Sequence, residues 1–496
     1  MVALTFIHQV LETVCNIELW TYSFIGLCGL IYLSRDYLKS LLICLQLDGP
    51  KALPFIGNTM LILEKDLLTH HVSPAYKKYG SLARVWVFFL PFFAILDPND
   101  IQTVLSSSKH TEKIFFYKLL HNFLGAGLIT SGGEKWQNHR KLLQSSFHAN
   151  ILEKFLTTFI DASEVMITKL NAAPNELNIT HFVNNCVIDI LNESVLGVSK
   201  SNKDELVNMD DSPFRQGRVL IPLRLTRPWL LFDWIYRMTE NATAELHQKS
   251  RLNSFTREMI AMRRDVNNNS ERKCLIDYMI EISQKNPDFT DDDIVDEACT
   301  FMLAGQDSVG AAVAFCLFLL AQNPKSQQKC YDEIKDLLRV DDQRPFAMHD
   351  IRRMRYLEQC IKETLRLYPS VPLIARKLGE SIIVGKHKLP AGSNVLIFPF
   401  ATHRIEKIYP QPEIFDPNRF ATDRVESRHP YAYLPFSAGA RNCIGHKFAL
   451  IEMKTIIAQI LRHYRLLPVK GKTKIEPIFR ITVRAAGGLW IRLERR

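Results

Sequence analysis

Apolar residues recur along most of this chain at the spacing of an α-helix, and only short stretches alternate as β-strands do. From about Pro98 to Glu380 the apolar positions follow mainly i, i+3 and i+4, which predicts helices through this whole region. The late segment "CIGHKFALIEMKTIIAQILRHY" has the same spacing and predicts one more helix. The pattern therefore predicts a mainly α fold with a small β portion.

Three short segments predict the strands. "SLARVWVFFLPFFAILDP" has two β-rich runs around Pro91, which predicts a hairpin with this proline in its turn. "SIIVGKHKLPAGSNVLIF" predicts a second hairpin that turns at Pro390-Ala391-Gly392. "FRITVRAAGGLWIRL" predicts a closing pair of strands.

The longest helical pattern is "TDDDIVDEACTFMLAGQDSVGAAVAFCLFLLAQNP". The acids from Asp291 to Asp293 suit the positive end of a helix dipole, and Asn323-Pro324 ends the pattern. About 32 residues make a helix of about 48 Å, which is long enough to cross a domain. Apolar residues surround most of this segment, so we expect a buried central helix.

The middle of this helix, "AGQDSVG", is unusual because it holds two glycines and an acid. Gly305 costs about 1 kcal/mol relative to alanine inside a helix, and a buried Asp307 needs a partner. Two interpretations fit. The glycine packs against a neighbour while Asp307 lies at a bundle surface, or the helix opens where another group approaches its backbone. Ser308 can donate a hydrogen bond back to the Ala304 carbonyl and loosen the turn.

The N-terminal segment Leu19–Leu33 is continuously apolar and predicts a membrane anchor. Positive charge begins only afterwards, at Arg35 and Lys39, which places the rest of the chain in the cytosol by the positive-inside rule. A signal peptide and an interfacial helix are the alternatives. We divide the chain into an anchor and linker, residues 1–48, and one catalytic domain, residues 49–496, because no linker-like stretch or repeat divides the remainder.

Composition narrows the choice of partner and compartment. The 496 residues include 47% apolar ones and carry a formal net charge of +10. This excess is either ordinary surface bias or a sign of an anionic partner, such as a membrane surface or an acidic protein. The basic residues are dispersed, which argues against nucleic acid. The ten cysteines form no CxxC pair, so we expect most of them to be buried, reduced thiols.

One cysteine stands in a distinctive setting, "FSAGARNCIGHKFA". Cys443 precedes a predicted helix, and glycines and Arg441 surround it. Backbone N–H groups, a helix N-terminus and a cation all lower the pKa of a thiol. A nucleophile, a redox thiol and a metal ligand all fit this setting, and the residues alone leave the three open.

"FSAGARNCIG" resembles the haem-binding signature of the cytochrome P-450 superfamily. The matching residues are Phe436, Gly439, Arg441, Cys443 and Gly445. Four further elements resemble the family in the same order: "WQNHR" with Trp136 and Arg140, "AGQDS", "ETLR" with Glu363 and Arg366, and "FDPNRF" with Arg419. The similarity extends from about Pro50 to the C-terminus, so it implies the P-450 fold, with the long central helix over the haem.

The resemblance also implies roles for individual residues. It makes Cys443 the axial thiolate ligand of the iron in haem b. The remaining implied cofactor contacts, chiefly to the haem propionates, are Trp136, Arg140, Arg376, His403, Phe436, Gly439, Arg441 and Gly445. It implies a buried structural network of Glu363, Arg366 and Arg419, and a catalytic acid–alcohol pair, Asp307 and Ser308, that relays protons.

This sequence departs from the family pattern at two positions. Ser308 stands where threonine is usual, and serine lacks the methyl group that restricts χ1. We therefore expect a less rigid relay and some loss of electrons to peroxide. Ala304 stands where many family-four members carry a glutamate that esterifies the haem, so we expect haem b to be bound non-covalently.

Sequence segments such as "RLYPSVPLIARKL" resemble those of the microsomal family-four branch of long-chain ω-hydroxylases. This implies an endoplasmic-reticulum membrane with the catalytic domain facing the cytosol, electrons from NADPH-cytochrome reductase, and O2 as a substrate. The second substrate is an apolar small molecule: a fatty acid, a terpenoid or a xenobiotic. Its expected pocket comprises Phe115–Phe123, Phe301, Ala304 and Val371–Ile374.

Two other functions stay open. A haem-thiolate isomerase or dehydratase needs no reductase, although the Asp307–Ser308 pair argues against it. A non-catalytic haem- or lipid-binding protein binds the same ligands without consuming NADPH.

Overall fold

The computed structural model describes residues 34–198, 224, 226–265, 272–338, 344–480 and 482–496. The predicted membrane anchor at Leu19–Leu33 lies outside these residues. The described part is mainly helical with a small strand portion, so the predicted fold class is confirmed. The division at residue 48 stays a prediction.

The α-helices are α1 (34–46), α2 (Ala75–Tyr79), α3 (Pro98–Leu105), α4 (His121–Leu124), α5 (Gly133–Leu143), α6 (Ala149–Asn171), α7 (Ile179–Leu191), α8 (Asp233–Tyr236), α9 (Glu240–Asp265), α10 (Leu275–Lys285), α11 (Asp291–Gln322), α12 (Pro324–Leu338), α13 (Met348–Arg353), α14 (Arg355–Leu367), α15 (Pro399–Thr402), α16 (Thr422–Glu426) and α17 (His446–His463). Short 3-10 helices lie at Thr59–Leu63, Ser108–His110, Phe115–Leu120, Gln144–Phe147, Pro228–Leu231, Pro417–Phe420 and Pro430–Ala432, and π-helices at Leu67–Val72 and Asn192–Leu196.

The strands are β1 (Leu82–Val87), β2 (Leu90–Ile95), β3 (Glu176–Asn178), β4 (Ile374–Lys377), β5 (Ile382–Val384), β6 (His387–Leu389), β7 (Asn394–Ile397), β8 (Tyr464–Pro468), β9 (Pro477–Phe479), β10 (Val483–Ala485) and β11 (Trp490–Arg495). They form a four-stranded sheet in the order β1-β2-β7-β4, a three-stranded sheet β3-β11-β8, and the hairpins β5-β6 and β9-β10.

The predicted turn of the first hairpin was wrong. Strand β1 pairs with β2 in antiparallel register, but Pro91 lies within β2, opposite Trp86. The chain turns at Phe88–Phe89, where Phe88 has a positive φ of 55°. Proline is tolerated in β2 because β7 begins to pair only at Phe92, so no partner strand needs the missing N–H.

The later strand predictions were also partly wrong. The second hairpin turns between β5 and β6 at Gly385, and β7 leaves it to join the four-stranded sheet. The last strand, β11, pairs with β3 and β8, while β10 pairs with β9. Short-range turn signals find strands well, but they do not show which strand each will pair with.

The predicted central helix is confirmed as α11, with 32 residues and most of them buried. Thr290 and Asp293 form a capping box at its start. It packs against α7, α14 and α17 in the largest apolar core. Within the described residues α11 alone is long and apolar enough to cross a membrane, and this core position explains its composition.

The glycines of α11 support the first half of the packing interpretation, but its placement of Asp307 at a bundle surface was wrong, because Asp307 is buried. A Cβ at Gly305 would lie 2.7 Å from Leu191 Cδ2, and one at Gly310 would lie 2.4 Å from Asn184 Oδ1, so both glycines let α7 pack closely. The helix is continuous through this region. The predicted bond from Ser308 Oγ to the Ala304 carbonyl is present at 2.7 Å.

Helix α17 buries a carboxyl group that has no partner. Glu452 is fully buried, and neither of its carboxyl oxygens has a hydrogen-bond partner in the part of the chain that the structure describes. Burial raises the pKa of Glu452 well above its usual range. The folded protein therefore holds this group neutral.

Glu452→Gln tests this burial. An unfolded chain releases the Glu452 proton near the ordinary pKa, whereas the folded chain keeps it, so the wild type loses stability as pH rises from the ordinary glutamate range toward the raised pKa. We expect the free energy of unfolding of the variant to rise relative to that of the wild type as pH rises, by about 1.4 kcal/mol per pH unit within that window. Denaturant unfolding of the full chain at several pH values measures this gap. The exposed Glu426→Gln is the control, and a gap independent of pH would contradict the account.

Candidate active site

The loop before α17 fixes Cys443 tightly. Its backbone N–H donates to the Phe436 carbonyl at 2.9 Å, and Ser437 and Gly439 have positive φ angles of 59° and 72°. A Cβ at Gly439 would lie 1.7 Å from the Leu105 carbonyl oxygen at the end of α3. Only glycine fits at position 439, because the conformation and the close approach both exclude a side chain.

Cys443 differs from the other described cysteines. Seven of the eight are buried, and Cys443 alone is exposed. Even so, burial raises the pKa of its thiol above the ordinary value, although the Gly445 N–H and Arg140 act in the opposite direction. The thiol is thus accessible at its surface while the surrounding protein still desolvates its charged form.

This corrects the expectation that the setting of Cys443 alone would produce a thiolate. Desolvation of the charged form outweighs the N–H donor and the cation. A nucleophile or a redox thiol must ionise by itself, whereas a metal cation deprotonates the thiol that binds it. The geometry therefore favours the metal-ligand interpretation.

Gly445 has a weaker steric requirement than expected. A Cβ there would make an ordinary contact of 3.7 Å with Phe147 Cε1. The Phe147 ring also lies 5.4 Å from the ring of Phe301 on α11. This contact places the Cys443 loop opposite the turn of α11 that carries Ala304, which is likewise exposed.

Two of the expected arginines tie the Cys443 loop to its surroundings. Arg140 on α5 donates to the Asn442 carbonyl at 3.0 Å and to Asn442 Oδ1 at 2.7 Å. Arg441 donates to the carbonyls of Leu128 at 3.2 Å and Ser131 at 2.6 Å. The ring of Trp136 lies 4.1 Å from the Arg441 guanidinium, so Trp136 supports this arginine by a cation–π contact.

A surplus of positive charge surrounds these arginines. Burial and the neighbouring Arg376 lower the pKa of Arg441 to about 9, and its Nε has no hydrogen-bond partner. Burial also lowers the pKa of Arg376. Lys113 completes the cluster, and burial, Arg376 and Arg441 lower its pKa well below the usual range. Crowded, partly desolvated cations of this kind fit carboxylates, as the implied haem propionates require.

Sequence reasoning missed Lys113. Its ammonium lies 4.3 Å from the centre of the Tyr117 ring, and no described carboxylate or carbonyl accepts a hydrogen bond from it. The segment before α4 gives no motif that singles out this lysine. Its role emerges only when the fold brings it beside Arg376 and Arg441.

The expectation that His403 assists the propionates is not supported. Its Nδ1 lies 3.2 Å from the Arg366 carbonyl, and its Nε2 accepts from the Leu434 N–H at 2.7 Å. Burial and the cations Arg366 and Arg404 lower the pKa of His403 to about 3. A neutral ring with both nitrogens bonded to the backbone is part of the scaffold.

The structure brings Glu363, Arg366 and Arg419 together. Arg366 donates two bonds to Glu363, at 2.7 and 2.8 Å, and both side chains are fully buried. Arg419 Nε lies 3.4 Å from Glu363 Oε1. Arg366 also donates to the carbonyls of His403 and Ile414, so the pair joins α14 to the segment that leads to the Cys443 loop.

Asp307 and Ser308 lie on α11 but have different partners. Asp307 is buried and forms an ion pair with Arg484 at 2.7 Å. Ser308 Oγ is bonded to the helix itself, at the Ala304 carbonyl. Whether the pair relays protons stays a proposal.

An apolar cavity of about 190 Å³ lies beside the four-stranded sheet. Phe116 and Leu373 line it, as expected, together with Leu396, Phe398 and Phe479, whereas the expected Phe301 and Ala304 do not. The sheet and hairpin residues were missed because a buried strand residue and a cavity-lining one look alike in sequence. The cavity suits an apolar small molecule.

Comparison with known proteins assigns the family. The family model described as Cytochrome P450 matches residues 47–487. The chain belongs to the cytochrome P450 family. It is 57% identical to "Probable cytochrome P450 4aa1" of Drosophila melanogaster, over 99% of this chain and 98% of that protein. It is 36% identical to "Cytochrome P450 4d2" of Drosophila melanogaster and 35% identical to "Cytochrome P450 4V2" of Homo sapiens, over 91% and 90% of this chain and 94% and 89% of those proteins.

These relatives are family-four members, as the sequence predicted, and this cytochrome P450 is a haem-thiolate monooxygenase. The residues present fit the haem. The Cys443 thiol is exposed, the Nε of Arg441 has no hydrogen-bond partner among the described residues, and Arg376 and Lys113 crowd Arg441 while Glu112 is the carboxylate that acts on it. The resemblance stated from the sequence is confirmed.

The variant Lys113→Met tests whether Lys113 belongs with the arginines that are expected to bind the haem propionates. Removing one charge-assisted contact to a propionate weakens haem binding by about 1.5–3 kcal/mol, or roughly tenfold or more. Haem transfer from the purified protein to apomyoglobin measures this loss as a faster rate. Lys118→Met is a matched control, because Lys118 lies exposed in the same segment. Equal transfer rates for the two variants would contradict the assignment.

Proposed function

We propose that this cytochrome P450 is a membrane-bound enzyme of the endoplasmic reticulum that inserts one atom of O2 into an apolar small molecule. The second oxygen atom leaves as water, and NADPH supplies two electrons through a flavoprotein reductase. The observation that carries the proposal is the Cys443 thiol, the one exposed thiol among the described cysteines, held in its loop by Arg140, with Arg441, Arg376 and Lys113 crowded together beside that loop. The substrate is a fatty acid, a terpenoid or a xenobiotic.

When bound, haem supplies the activation of O2 at its iron. The chain supplies the remaining functions. Cys443 holds the iron as a thiolate, and Arg441, Arg376 and Lys113 hold the propionates. The apolar cavity binds the substrate away from water. Asp307 and Ser308 carry protons to the reaction through their carboxyl and hydroxyl groups.

Isotopic oxygen tests the reaction. With purified protein, reductase, NADPH and ¹⁸O2, we expect one labelled atom in the organic product and one in water, because a monooxygenase divides O2 between them. Mass spectrometry of products from a panel of apolar substrates measures this. Rearrangement of an organic peroxide without NADPH would support the isomerase alternative. Spectral binding without NADPH consumption would support a non-catalytic role.

We propose that the haem is non-covalent. Ala304 occupies the exposed position on α11 and has no carboxyl group to form an ester. Acid–acetone treatment should therefore extract essentially all haem from the wild type. Haem that stays with the protein would contradict this.

Exposed apolar side chains support a location at a membrane. Phe55 is 91% exposed, and Phe89 is exposed beside α1, whose Tyr37 hydroxyl donates to the Phe89 carbonyl at 3.0 Å. A second exposed group comprises Trp229, Phe232, Trp234 and Met238. Aromatic residues exposed in this way suit the interface between lipid and water. Lipid is the partner we propose for both groups.

The reductase is expected to dock near α5. Lys141 follows Arg140, and Lys447 lies just after the Cys443 loop; both are exposed. Because Arg140 bonds to Asn442, it contributes less positive charge to this surface than the sequence suggested. Exposed cations beside the proposed iron site suit an acidic reductase and speed its association.

Glycosylation tests the topology. The chain has four N-x-S/T sequons, at Asn178, Asn192, Asn241 and Asn268. A cytosolic domain never meets the glycosylation machinery, so we expect no shift in gel mobility when the protein from microsomes is treated with an endoglycosidase. A shift that disappears when the sequons are replaced would contradict the proposed orientation.

A further inference from the structure

The acid of α11 is held by the C-terminal hairpin. Arg484 Nη2 on β10 lies 2.7 Å from Asp307 Oδ1, and Thr482 Oγ1 donates to Asp307 Oδ2 at 3.2 Å. The Asp307 side chain is only 6% exposed, so this pairing takes place largely out of water. A buried carboxylate takes its orientation from such partners.

The alcohol of the pair is held separately. Ser308 Oγ donates to the Ala304 carbonyl, and neither this bond nor the bonds to Arg484 and Thr482 joins the acid to the alcohol. The bonds from Arg484 and Thr482 hold the Asp307 carboxylate toward the hairpin, so the strength of the ion pair with Arg484 affects how readily this carboxylate serves the Ser308 hydroxyl.

The hairpin holds the backbone of the pair as well. Ser370 Oγ donates to the Ser308 carbonyl at 2.8 Å, and the Val483 N–H donates to the Ser370 carbonyl at 2.9 Å. Strand β10 thus contacts Asp307 directly and Ser308 through Ser370. A shift of this strand changes both residues together.

The same hairpin borders the apolar cavity. Phe479 on β9 lines the cavity and pairs in register with Val483 on β10. A molecule in the cavity contacts Phe479, and this strand pairing carries its effect to Arg484. Occupancy of the cavity and the orientation of Asp307 are therefore mechanically linked.

We propose that Arg484 is a positioning residue for proton delivery and couples it to occupancy of the cavity. This rests on the proposed function. When the reaction takes the proton of the Ser308 hydroxyl, the Asp307 carboxylate accepts a proton from water and passes it to the Ser308 oxygen, so that both groups return to their starting states. Arg484 takes part in no bond change and holds Asp307 in the position from which this exchange starts.

Three variants test the proposal in the full-length protein: Arg484→Gln, Arg484→Lys and the control Arg480→Gln. Arg480 is exposed on the same hairpin and does not pair with Asp307. We expect Arg484→Gln to lower product formed per NADPH by about tenfold, less than the 10²–10⁴-fold that an acid–base group itself contributes. The solvent deuterium isotope effect on NADPH oxidation should rise, and the substrate spectral Kd should change as well, because a link between the cavity and Asp307 acts in both directions; an unchanged Kd would overturn the coupling to occupancy. Arg484→Lys should recover most of the coupling.

A second measurement does not depend on turnover. Asp307→Asn and Arg484→Gln are combined in a double-mutant cycle of thermal unfolding. Because each single change already breaks the pair, the double variant should lose no more in Tm than the larger single loss. Asp307→Asn combined with Arg480→Gln should instead be additive.

The outcomes separate the two claims. If Arg484→Gln and Arg480→Gln show the same product per NADPH and the same isotope effect, the positioning role is overturned. This holds even if the wild type forms product. Additive Tm losses for Asp307→Asn with Arg484→Gln overturn the pairing itself. A wild type that makes no NADPH-dependent product, while the cycle shows the pair, overturns the proposed function and leaves the contact established.

Discussion

The structure depends on how its loop holds one thiol, that of Cys443. The loop holds Cys443 in place through the bond to Phe436 and through Gly439, which has no room for a side chain beside α3. Burial outweighs the Gly445 N–H and Arg140, so the pKa of the thiol is raised. A cation at the sulfur would offset this penalty, and Cys443 is the one exposed thiol among the described cysteines, so it is the thiol we propose as the iron ligand.

The charges around the loop follow the same logic. The acids of α11 face the segment that receives Arg441: Ala126 N–H donates to Asp296 at 2.8 Å, and Leu128 N–H donates to Glu297 at 3.0 Å. His139 on α5 contacts Glu297 at 2.7 Å. Through these bonds the central helix holds the segment that receives Arg441 on one side and α5 on the other. Three cations, Arg441, Arg376 and Lys113, crowd together there, and Glu112 is the carboxylate that acts on Arg441, so the cluster carries a positive excess that suits carboxylate groups.

Sequence reasoning succeeded where the signal was local and periodic. Helices α11 and α17, the acids at the start of α11 and the Ser308 bond followed from spacing, the helix dipole and local hydrogen bonding. It failed where the outcome depended on long-range contacts. Pro91 was placed in a turn because partner strands are invisible in one sequence, and the sequence did not show that α7 is the neighbour of the α11 glycines or that Asp307 is buried.

The same limit applies to the candidate site. The signature around Cys443 predicted the residues that hold the loop, but it did not reveal Lys113, or that His403 bonds to the backbone of Arg366 and Leu434. Arg484 was not foreseen as the partner of Asp307, because 177 residues separate them. Such pairings arise from the fold and carry no short motif.

The most direct test replaces the sulfur. The full-length Cys443→Ala variant is reconstituted with haem, reduced and treated with carbon monoxide, beside the wild type. The account predicts the long-wavelength absorption band of a thiolate-bound haem in the wild type and its loss in the variant. Survival of this band without Cys443 would contradict the central claim.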